Sequence, residues 1–302
     1  MLASNHERDL NSFARNINSQ FGEDGIIEEI LLRLRNGSEV DGWCVEFGAW
    51  DGKHLSNTYN LIDTKGYKAV LIEGDPARHV ELCKNIPRSD VHKICTFVTF
   101  DGENTLDKIL AKTPIPKDFD FLSIDIDGND YFIFEGLTQF KPKLVCIEFN
   151  PTIPNDVEFI QPKDFKIKQG SAPKSLTALA KSKGYSLVAT TLCNLFFVRD
   201  DFKEIVSGNS NTDLNALRDD SEYKTYLFIG FDGTILTNRR KIQMPWHGIA
   251  FKPAELQQLP RFLRRMSSDY NLPQKALFNI TMALKRKFPL KDYISSKWKA
   301  PL

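Results

Sequence analysis

The sequence predicts an α/β fold, built on a mostly parallel sheet that ends in an antiparallel hairpin. Short apolar runs alternate with helix-compatible segments, which is typical of a parallel sheet covered on both faces by crossover helices. The last two runs, 185–189 and 195–198, are separated only by the polar connection 190–194. Because this connection is too short for a helical crossover, the two strands must pair antiparallel.

The helices and strands follow one another in a regular order. In 25–35 the apolar residues occupy positions 26, 27, 30, 31 and 34, which is the spacing of one face of a leading helix. A second helical stretch covers 176–183. The apolar runs that end at turn residues predict further strands at 43–47, 69–72, 94–100, 119–126 and 144–149.

Length and composition indicate a globular protein with one sizeable α/β core and an appendage. The chain has 302 residues, of which 41% are hydrophobic and 26% are charged, and this excludes disordered and fibrous classes. We find neither a signal peptide nor a transmembrane segment. The five cysteines are scattered without CxxC spacing, so we interpret them as reduced core residues of a cytoplasmic protein.

The pattern changes beyond residue 200. The polar segment 207–222 predicts a boundary near 200–222, with a main domain at 1–200 and a C-terminal extension at 201–302. Within the extension, Asp232-Gly233 lies between apolar runs and predicts a β-hairpin.

The extension ends in a basic helical tail. From residue 251 to the end there are eleven Lys or Arg residues and three Asp or Glu residues. Lys285, Arg286 and Lys287 in this tail suggest a peripheral membrane contact, and a solvated helix is the alternative. Aromatic-rich RNA-binding signatures are lacking, so we expect no nucleic-acid partner.

The segment VEFGAWDG predicts a loop that binds a nucleotide-type ligand. Gly48 follows the first strand and Gly52 comes four residues later, so the backbone can approach a ligand closely. Trp50 interrupts the G-x-G-x-x-G dinucleotide pattern, and no Lys-Ser/Thr pair of a P-loop follows. Glu46 and Asp51 disfavour a polyphosphate but suit the ammonium group of a methionine moiety. The alternative is an ordinary structural turn.

Two further acidic residues come at or near the ends of predicted strands. Glu73 ends the second run, where a carboxylate can accept both ribose hydroxyls of a nucleoside. Asp101 ends the third run and is a candidate partner for an adenine amino group. Both are typical of a nucleoside-binding sheet edge.

The stretch SIDIDGND is the most unusual of the chain. A buried strand acquires Asp125, Asp127 and Asp130 within six residues, and Glu148 and Asn150 end the next strand. Mutual repulsion makes such a cluster costly unless a cation or proton transfer compensates. Asp125, Asp127, Glu148 and Asn150 therefore predict a Mg²⁺ site, and the alternative is that one carboxylate orients substrate while the others cap a helix.

Two histidines lie in motif-like settings and are candidate general bases. His54 follows the glycine loop, and His247 lies in the loop Pro-Trp-His-Gly. A hydrogen-bonded structural histidine is the alternative for each.

Together these motifs resemble the FkbM-type branch of class I S-adenosylmethionine (SAM)-dependent methyltransferases, many of which modify sugar hydroxyls. The similar segments, within 19–199, are SQFGED (19–24), VEFGAWDGKHLSNT (45–58), LIEGDP (71–76), FLSIDIDGNDY (121–131) and IEFNP (147–151). The resemblance implies the class I sheet, which is mostly parallel with a terminal antiparallel hairpin. It also implies SAM as cofactor.

The resemblance assigns roles to individual residues. Glu46, Gly48 and Gly52 would hold the methionine part of SAM, Glu73 the ribose and Asp101 the adenine region. Asp125 would lie beside the reacting methyl group, and Ser19 and Gln20, in the motif that precedes the first helix, would also bind the cofactor. The usual I-D-V-E-G motif is I-D-I-D-G-N-D here, which brings it closer to metal-dependent sugar methyltransferases of the macrocin type.

The sequence therefore predicts a SAM-dependent O-methyltransferase that acts on a hydroxyl of a sugar or glycan. We expect Asp125, Asp127 and His54 to take part in catalysis. The alternative is a binding or scaffold module that keeps the fold without turnover. The partner is expected to be a small molecule or glycan, and a homo-oligomer is left open.

Overall fold

The computed structural model describes residues 9–208, 210–238, 242–243, 250–251, 256–257 and 259–287. Contacts between Cα atoms divide the chain into two units, the first ending at Glu222 and the second beginning at Tyr223. The first unit contains the main sheet. The division follows the boundary region 200–222, and residue 200 as the end of the functional domain stays a prediction.

The main sheet of the described chain has seven strands in the order β3-β2-β1-β4-β5-β7-β6. The neighbours β3, β2, β1, β4 and β5 run parallel, whereas β7 pairs antiparallel with both β5 and β6. The strands are β1 Trp43–Phe47, β2 Lys68–Glu73, β3 Val91–Cys95, β4 Phe121–Ile124, β5 Leu144–Glu148, β6 Tyr185–Thr190 and β7 Asn194–Arg199.

Helices connect the parallel strands and cover the sheet. They are α1 Glu23–Gly37, α2 Tyr59–Lys65, α3 Pro76–Asn85, α4 Leu106–Leu110, α5 Asp130–Gly136, α6 Pro173–Ser182, α7 Lys203–Ser207 and α8 Leu214–Leu217. Short 3-10 turns lie at Leu10–Phe13, Gly102–Asn104 and Asp200–Phe202.

Two apolar layers hold this unit together, one on each face of the sheet. On one face α4, α5 and α6 pack against side chains such as Val45, Leu122 and Ile147. On the other face α1, α2 and α7 pack against side chains such as Cys44 and Phe196. Because both faces are covered, the central strands are buried along nearly their whole length, which explains their continuous apolar runs.

The predicted fold class is confirmed. After β5 the chain passes through α6 and returns as β6 and β7, and β7 lies between β5 and β6. Only the three residues 191–193 join β6 to β7, so no crossover helix separates them. A parallel sheet closed by this antiparallel pair has the class I methyltransferase topology.

Two details of the prediction are wrong. The third strand covers Val91–Cys95 rather than 94–100, because β3 is an edge strand with the polar residues His92 and Lys93 in it, and the apolar run after it forms a loop. All five cysteines are free, but Cys83 and Cys95 are exposed and only the other three are buried core residues.

The second unit contains the hairpin that Asp232-Gly233 predicts. Strands β8 Leu227–Ile229 and β9 Ile235–Thr237 pair antiparallel, and Gly233 has the positive φ of 77° that such a turn requires. The other elements are the strands β10 Ile242–Gln243 and β11 Ala250–Phe251, two 3-10 turns at Arg261–Leu263 and Ser267–Asp269, and the helix α9 Leu272–Lys287. Among the described residues, no helix is both long and apolar enough to cross a membrane.

Candidate functional site at the carboxyl edge of the sheet

The candidate site lies where the direction of strand addition reverses. Strands β1 and β4 are neighbours, β2 and β3 extend the sheet on one side, and β5 extends it on the other. In an open α/β sheet, ligands bind outside the carboxyl ends of the strands at this switch point. The carboxyl ends of β1, β2, β4 and β5, together with the loops that follow them, carry most of the predicted site residues.

The glycine loop after β1 fits tightly against protein atoms. Gly48 has a φ of +76°, and a Cβ there would lie only 2.0 Å from the carbonyl oxygen of Asp125. Gly52 also has a φ of +76°, and a Cβ there would lie 2.3 Å from Leu82 in α3. Both positions therefore require glycine for packing and backbone conformation. Their contact with a cofactor stays a prediction.

Glu46, on β1, anchors the segment that leads into α2. One carboxylate oxygen accepts hydrogen bonds from the hydroxyls of Ser56 and Thr58 at 2.6 and 2.7 Å. The other accepts the Asn57 backbone N–H at 2.8 Å. Burial raises the pKa of Glu46, and these three donors offset part of that rise. The carboxylate is thus engaged within the protein, and its predicted role in holding the methionine moiety is untested.

Glu73 connects the loops after β1 and β2. Its two carboxylate oxygens accept the backbone N–H groups of Trp50 and Asp75, each at 2.7 Å. The side chain is half-buried, so a ligand can still reach its remaining lone pairs. This placement is compatible with the predicted ribose contact.

Asp51 and His54 shape the exposed turn that follows. One oxygen of Asp51 accepts the backbone N–H groups of Lys53 and His54 at 3.0 and 2.7 Å. The His54 ring packs edge-on against Trp50, with 5.7 Å between ring centroids. The contacts of His54 are therefore with its own loop, and its role as a base stays a prediction.

The motif before α1 is held together by Asp24, which the sequence did not single out. One oxygen of this buried carboxylate accepts the backbone N–H groups of Ile17, Asn18 and Ser19. Ser19 is buried and its hydroxyl accepts the Asp24 N–H, whereas Gln20 is exposed. Ser19 therefore stabilises the turn, and Gln20 is the one of the two predicted cofactor residues that solvent reaches.

Asp101 lies farther from its strand than the sequence suggests. Because β3 ends at Cys95, Asp101 follows a loop and directly precedes the 3-10 turn Gly102–Asn104. Its side chain is exposed. The adenine contact predicted for it is untested.

The loops after β4 and β5 bring three carboxylates together. One oxygen each of Asp125, Asp127 and Glu148 lies within 4.8 Å of the other two. Because these oxygens of Asp125 and Glu148 are so close, the two groups repel each other when both are ionised, and a shared proton or a cation would relieve the pair. Asp127 has an unusual positive φ of 55° and its exposed side chain lies 3.5 Å from Lys168.

The electrostatics of this cluster favour protonation. Although Asp125 is open to solvent, surrounding protein desolvates it, and with the negative charges of Asp130 and Asp127 this raises its pKa to about 7. Burial and the charge of Asp125 raise the pKa of Glu148 well above its usual value. The protonation of Asp125 and that of Glu148 therefore depend on each other.

Asp130 and Asn150 have structural contacts instead. Burial raises the pKa of Asp130 to about 6, and the Ile126 and Gly128 N–H groups that its carboxylate accepts limit this rise. The Asn150 side-chain oxygen accepts the Thr152 N–H and hydroxyl at 2.9 and 2.6 Å. Its predicted role as a metal ligand is untested. His247 lies outside the described residues.

The sequence missed the residues that support this edge. Ser56, Asn57 and Thr58 belong to a motif noted in the sequence, but their role depends on Glu46, ten residues earlier in the chain. Asn57 also donates to the Ser123 hydroxyl on β4 at 3.1 Å. A short polar Ser-Asn-Thr run just before a helix was the signal that pointed to such contacts.

The comparison with protein families identifies the segment that contains the acidic loops. Residues 102–187 match the methyltransferase FkbM domain. This FkbM segment includes β4, α5, β5 and α6, so the resemblance is confirmed there. The glycine loop and Glu73 precede the matched residues. Curated protein sequences yield no match.

Solved methyltransferase structures resemble this chain at low identity. A SAM-dependent methyltransferase from Aquifex aeolicus is 12% identical with a TM-score of 0.36, covering 59% of this chain and 88% of its own. An O-methyltransferase from Bacillus cereus, in complex with S-adenosylhomocysteine (SAH), is 16% identical with a TM-score of 0.37, covering 57% and 80%. TrmK of M. capricolum, also with SAH, is 13% identical with a TM-score of 0.33, covering 56% and 65%.

Proposed function

We propose that the protein is a SAM-dependent O-methyltransferase that acts on a hydroxyl group of a sugar or glycan. The observation that carries this proposal is the carboxyl pair Asp125–Glu148, whose oxygens lie within 4.8 Å of each other and which adjoins the glycine loop at the switch point. The pair lies in the segment that matches the FkbM domain. A proton acceptor beside a cofactor loop is the arrangement that methyl transfer to a hydroxyl needs.

SAM, when bound, supplies a methyl group on a positively charged sulfur. The acceptor oxygen would take this methyl group in exchange for its hydroxyl proton, and the cofactor would be left as a neutral thioether. Asp125 accepts the hydroxyl proton, and Glu148 holds the Asp125 carboxyl group in place. Because the displacement is in line, the protein contributes mainly through alignment.

The cofactor residues divide into two groups in this proposal. We assign direct contact with SAM to Glu73 and Gln20. Solvent reaches both side chains, so a bound cofactor can reach them as well. Glu46 and Ser19 act by positioning, because internal hydrogen bonds engage the Glu46 carboxylate and both the N–H and the hydroxyl of Ser19. Asp101 is proposed for the adenine region on the resemblance alone.

A magnesium ion fits the chemistry of the acidic cluster. Mg²⁺ prefers oxygen ligands and keeps several of its waters, and Asp125, Asp127 and Glu148 offer three carboxylate oxygens within 4.8 Å of one another. These residues would hold the ion, whose charge would lower the pKa of the acceptor hydroxyl. EDTA treatment tests this proposal, since unchanged turnover and an unaffected Asp127→Ala variant would rule it out.

A binding module without turnover is the alternative function. Calorimetry with SAM and SAH, followed by transfer of labelled methyl groups to glycan fractions, separates the two. We expect binding and transfer by the wild type, and binding without transfer by Asp125→Asn. Absence of SAM binding would reject the methyltransferase proposal. Binding by the wild type without transfer to any acceptor would favour the alternative.

We also propose a cytoplasmic location. All five cysteines are free, and Cys83 and Cys95 are exposed to solvent. Exposed thiols persist in reducing compartments. Fractionation of cells that express the full chain tests the location, and recovery of the protein with secreted material would contradict it.

A further inference from the structure

The β8–β9 ribbon of the second unit exposes apolar side chains in both directions. The exposed fractions are 57% for Phe228, 77% for Ile229 and 96% for Phe231. Because neighbouring residues of a strand point to opposite faces, both faces of β8 are open. An isolated hairpin is only marginally stable in water, and an apolar patch of this kind marks an interaction site.

Charge is distributed unevenly along the sequence, both between the two units and within the second one. Residues 223–302 contain 15 Lys or Arg and 4 Asp or Glu, whereas residues 1–222 contain 25 and 35. Within 226–238 the only charged residue is Asp232. In the sequence, Lys224 precedes this neutral segment and Arg239-Arg240-Lys241 follows it. An apolar element bracketed by cations is typical of a surface that binds anionic lipid.

Helix α9 repeats this combination. Leu277, Ile280 and Leu284 are exposed at a spacing that places them on one side of the helix. In the sequence, Lys285, Arg286 and Lys287 follow directly. The second unit thus carries two separate elements that each combine exposed apolar residues with nearby positive charge.

The distribution of charge distinguishes between the partners that could cover the β8–β9 ribbon. A second copy would bring an equally positive extension to the same place, and like charges repel. A nucleic acid would require cations at the contact surface, because phosphate contacts dominate its affinity, yet the ribbon itself has none. An anionic bilayer fits both the apolar ribbon and the basic residues that flank it in the sequence. Acyl chains can surround the apolar side chains, and anionic headgroups attract the cations.

We propose that the β8–β9 ribbon docks the protein onto an anionic lipid surface, with Phe228 and Phe231 entering the bilayer interface. The proposal does not depend on methyl transfer, because it concerns the second unit by itself. It assigns the apolar contact to the ribbon and the electrostatic attraction to the basic residues that flank the ribbon in the sequence.

Co-sedimentation of the full chain with vesicles tests the proposal. We expect binding to vesicles of phosphatidylcholine and phosphatidylserine in about a 2:1 ratio, and much weaker binding to phosphatidylcholine alone. The double variant Phe228→Ser/Phe231→Ser should bind about tenfold more weakly, because two phenyl groups no longer leave water. The matched control is Val80→Ser, which changes a 67% exposed apolar residue on α3 and should bind like the wild type.

A second variant reports on insertion directly and avoids loss of apolar surface. Phe231→Trp changes a fully exposed side chain, so it costs no core packing. Its fluorescence, relative to that of the wild type, should shift to the blue with anionic vesicles and be quenched by brominated lipid. The proposal is overturned if neither variant differs from the wild type. It is equally overturned if the ribbon variants abolish self-association or RNA binding instead of vesicle binding.

Discussion

Glu46 on β1 and Glu148 on β5 lie near the same edge of the sheet, yet their surroundings differ. Glu46 accepts hydrogen bonds from Ser56, Asn57 and Thr58, so all its partners are donors. The partner of Glu148 is another carboxyl group, that of Asp125. The first acid is satisfied by the fold, whereas the second is held in a costly arrangement that only a shared proton or a cation relieves.

This contrast separates structural acids from acids suited to chemistry. Asp130 resembles Glu46, because the Ile126 and Gly128 backbone N–H groups occupy its oxygens. Asp125 resembles Glu148, since desolvation by the surrounding protein and then neighbouring negative charges raise its pKa. A buried carboxylate with enough donors fixes a loop, and a carboxylate without them is poised to exchange a proton.

The largest expected effect on stability comes from replacing Glu46, whose carboxylate accepts three hydrogen bonds within the protein. Glu46→Ala leaves the buried Ser56, Asn57 and Thr58 donors without their acceptor, and we expect the free energy of unfolding to fall by about 3–5 kcal/mol. Urea denaturation measures this loss. Glu148→Ala is the matched control on β5 and should lose far less. Comparable losses for the two variants would break the contrast.

A smaller loss is expected from Gly48→Ala. The new methyl group would meet the Asp125 carbonyl in a left-handed backbone conformation, at a cost of about 2–4 kcal/mol. Gly42→Ala is the control, since Gly42 has a φ of +72° with nothing within 4 Å, and should cost only about 1 kcal/mol. Equal costs in thermal unfolding would mean that backbone conformation alone, without the contact, limits the position.

The carboxyl pair Asp125–Glu148 should make the free energy of unfolding depend on pH. The raised pKa of Glu148 means that the folded chain binds protons more tightly than the unfolded chain. The pair's contribution is therefore present at low pH and is lost as the pH rises through the raised folded-state pKa values, about 7 for Asp125. In metal-free protein, Glu148→Gln should become progressively more stable than the wild type between about pH 5 and about pH 8.

The control for this pH series is Glu81→Gln on α3. Glu81 is 52% exposed, so replacing it should change the free energy of unfolding by less than about 0.5 kcal/mol. Denaturation midpoints at each pH measure both variants. A constant difference for Glu148→Gln across the range would argue that Glu148 is an ordinary solvated acid.

The smallest effect is expected at the exposed side of the cluster. Asp127 and Lys168 are 75% and 64% exposed and lie 3.5 Å apart, so Lys168→Met should change the free energy of unfolding by less than about 0.5 kcal/mol. Lys143→Met is the comparison, because Lys143 makes a buried 2.7 Å ion pair with Asp120, and it should cost several times more. A large loss for Lys168→Met would mean that the loop depends on this ion pair.

Much of the fold could be predicted from the sequence because local patterns determine it. The run Trp43–Phe47 is apolar except for Glu46 and becomes a fully buried strand, and the short link 190–194 dictates the antiparallel end. The edge strand β3 was misplaced because exposure on one side weakens its pattern. The loop after it contains Val98, which is buried without belonging to a strand.

The site was harder to predict because its roles depend on distant partners. The sequence identifies Glu46 as an acid after an apolar run, but the donors that occupy it come from another turn of the chain. Asp24 was passed over, although three backbone N–H groups converge on it. The acidic motif was recognised, since three aspartates in six residues are unusual in any context.

The contact between Gly48 and the Asp125 carbonyl couples the position of the loop after β1 to that of the loop after β4. The loop after β1 rests on the peptide that carries the proposed base, with no room for a single added carbon between them. Any displacement of one side is transmitted to the other within one van der Waals contact. A lineage that altered the loop to accept a different ligand would therefore have to move the end of β4 as well, so the two halves are constrained to evolve together.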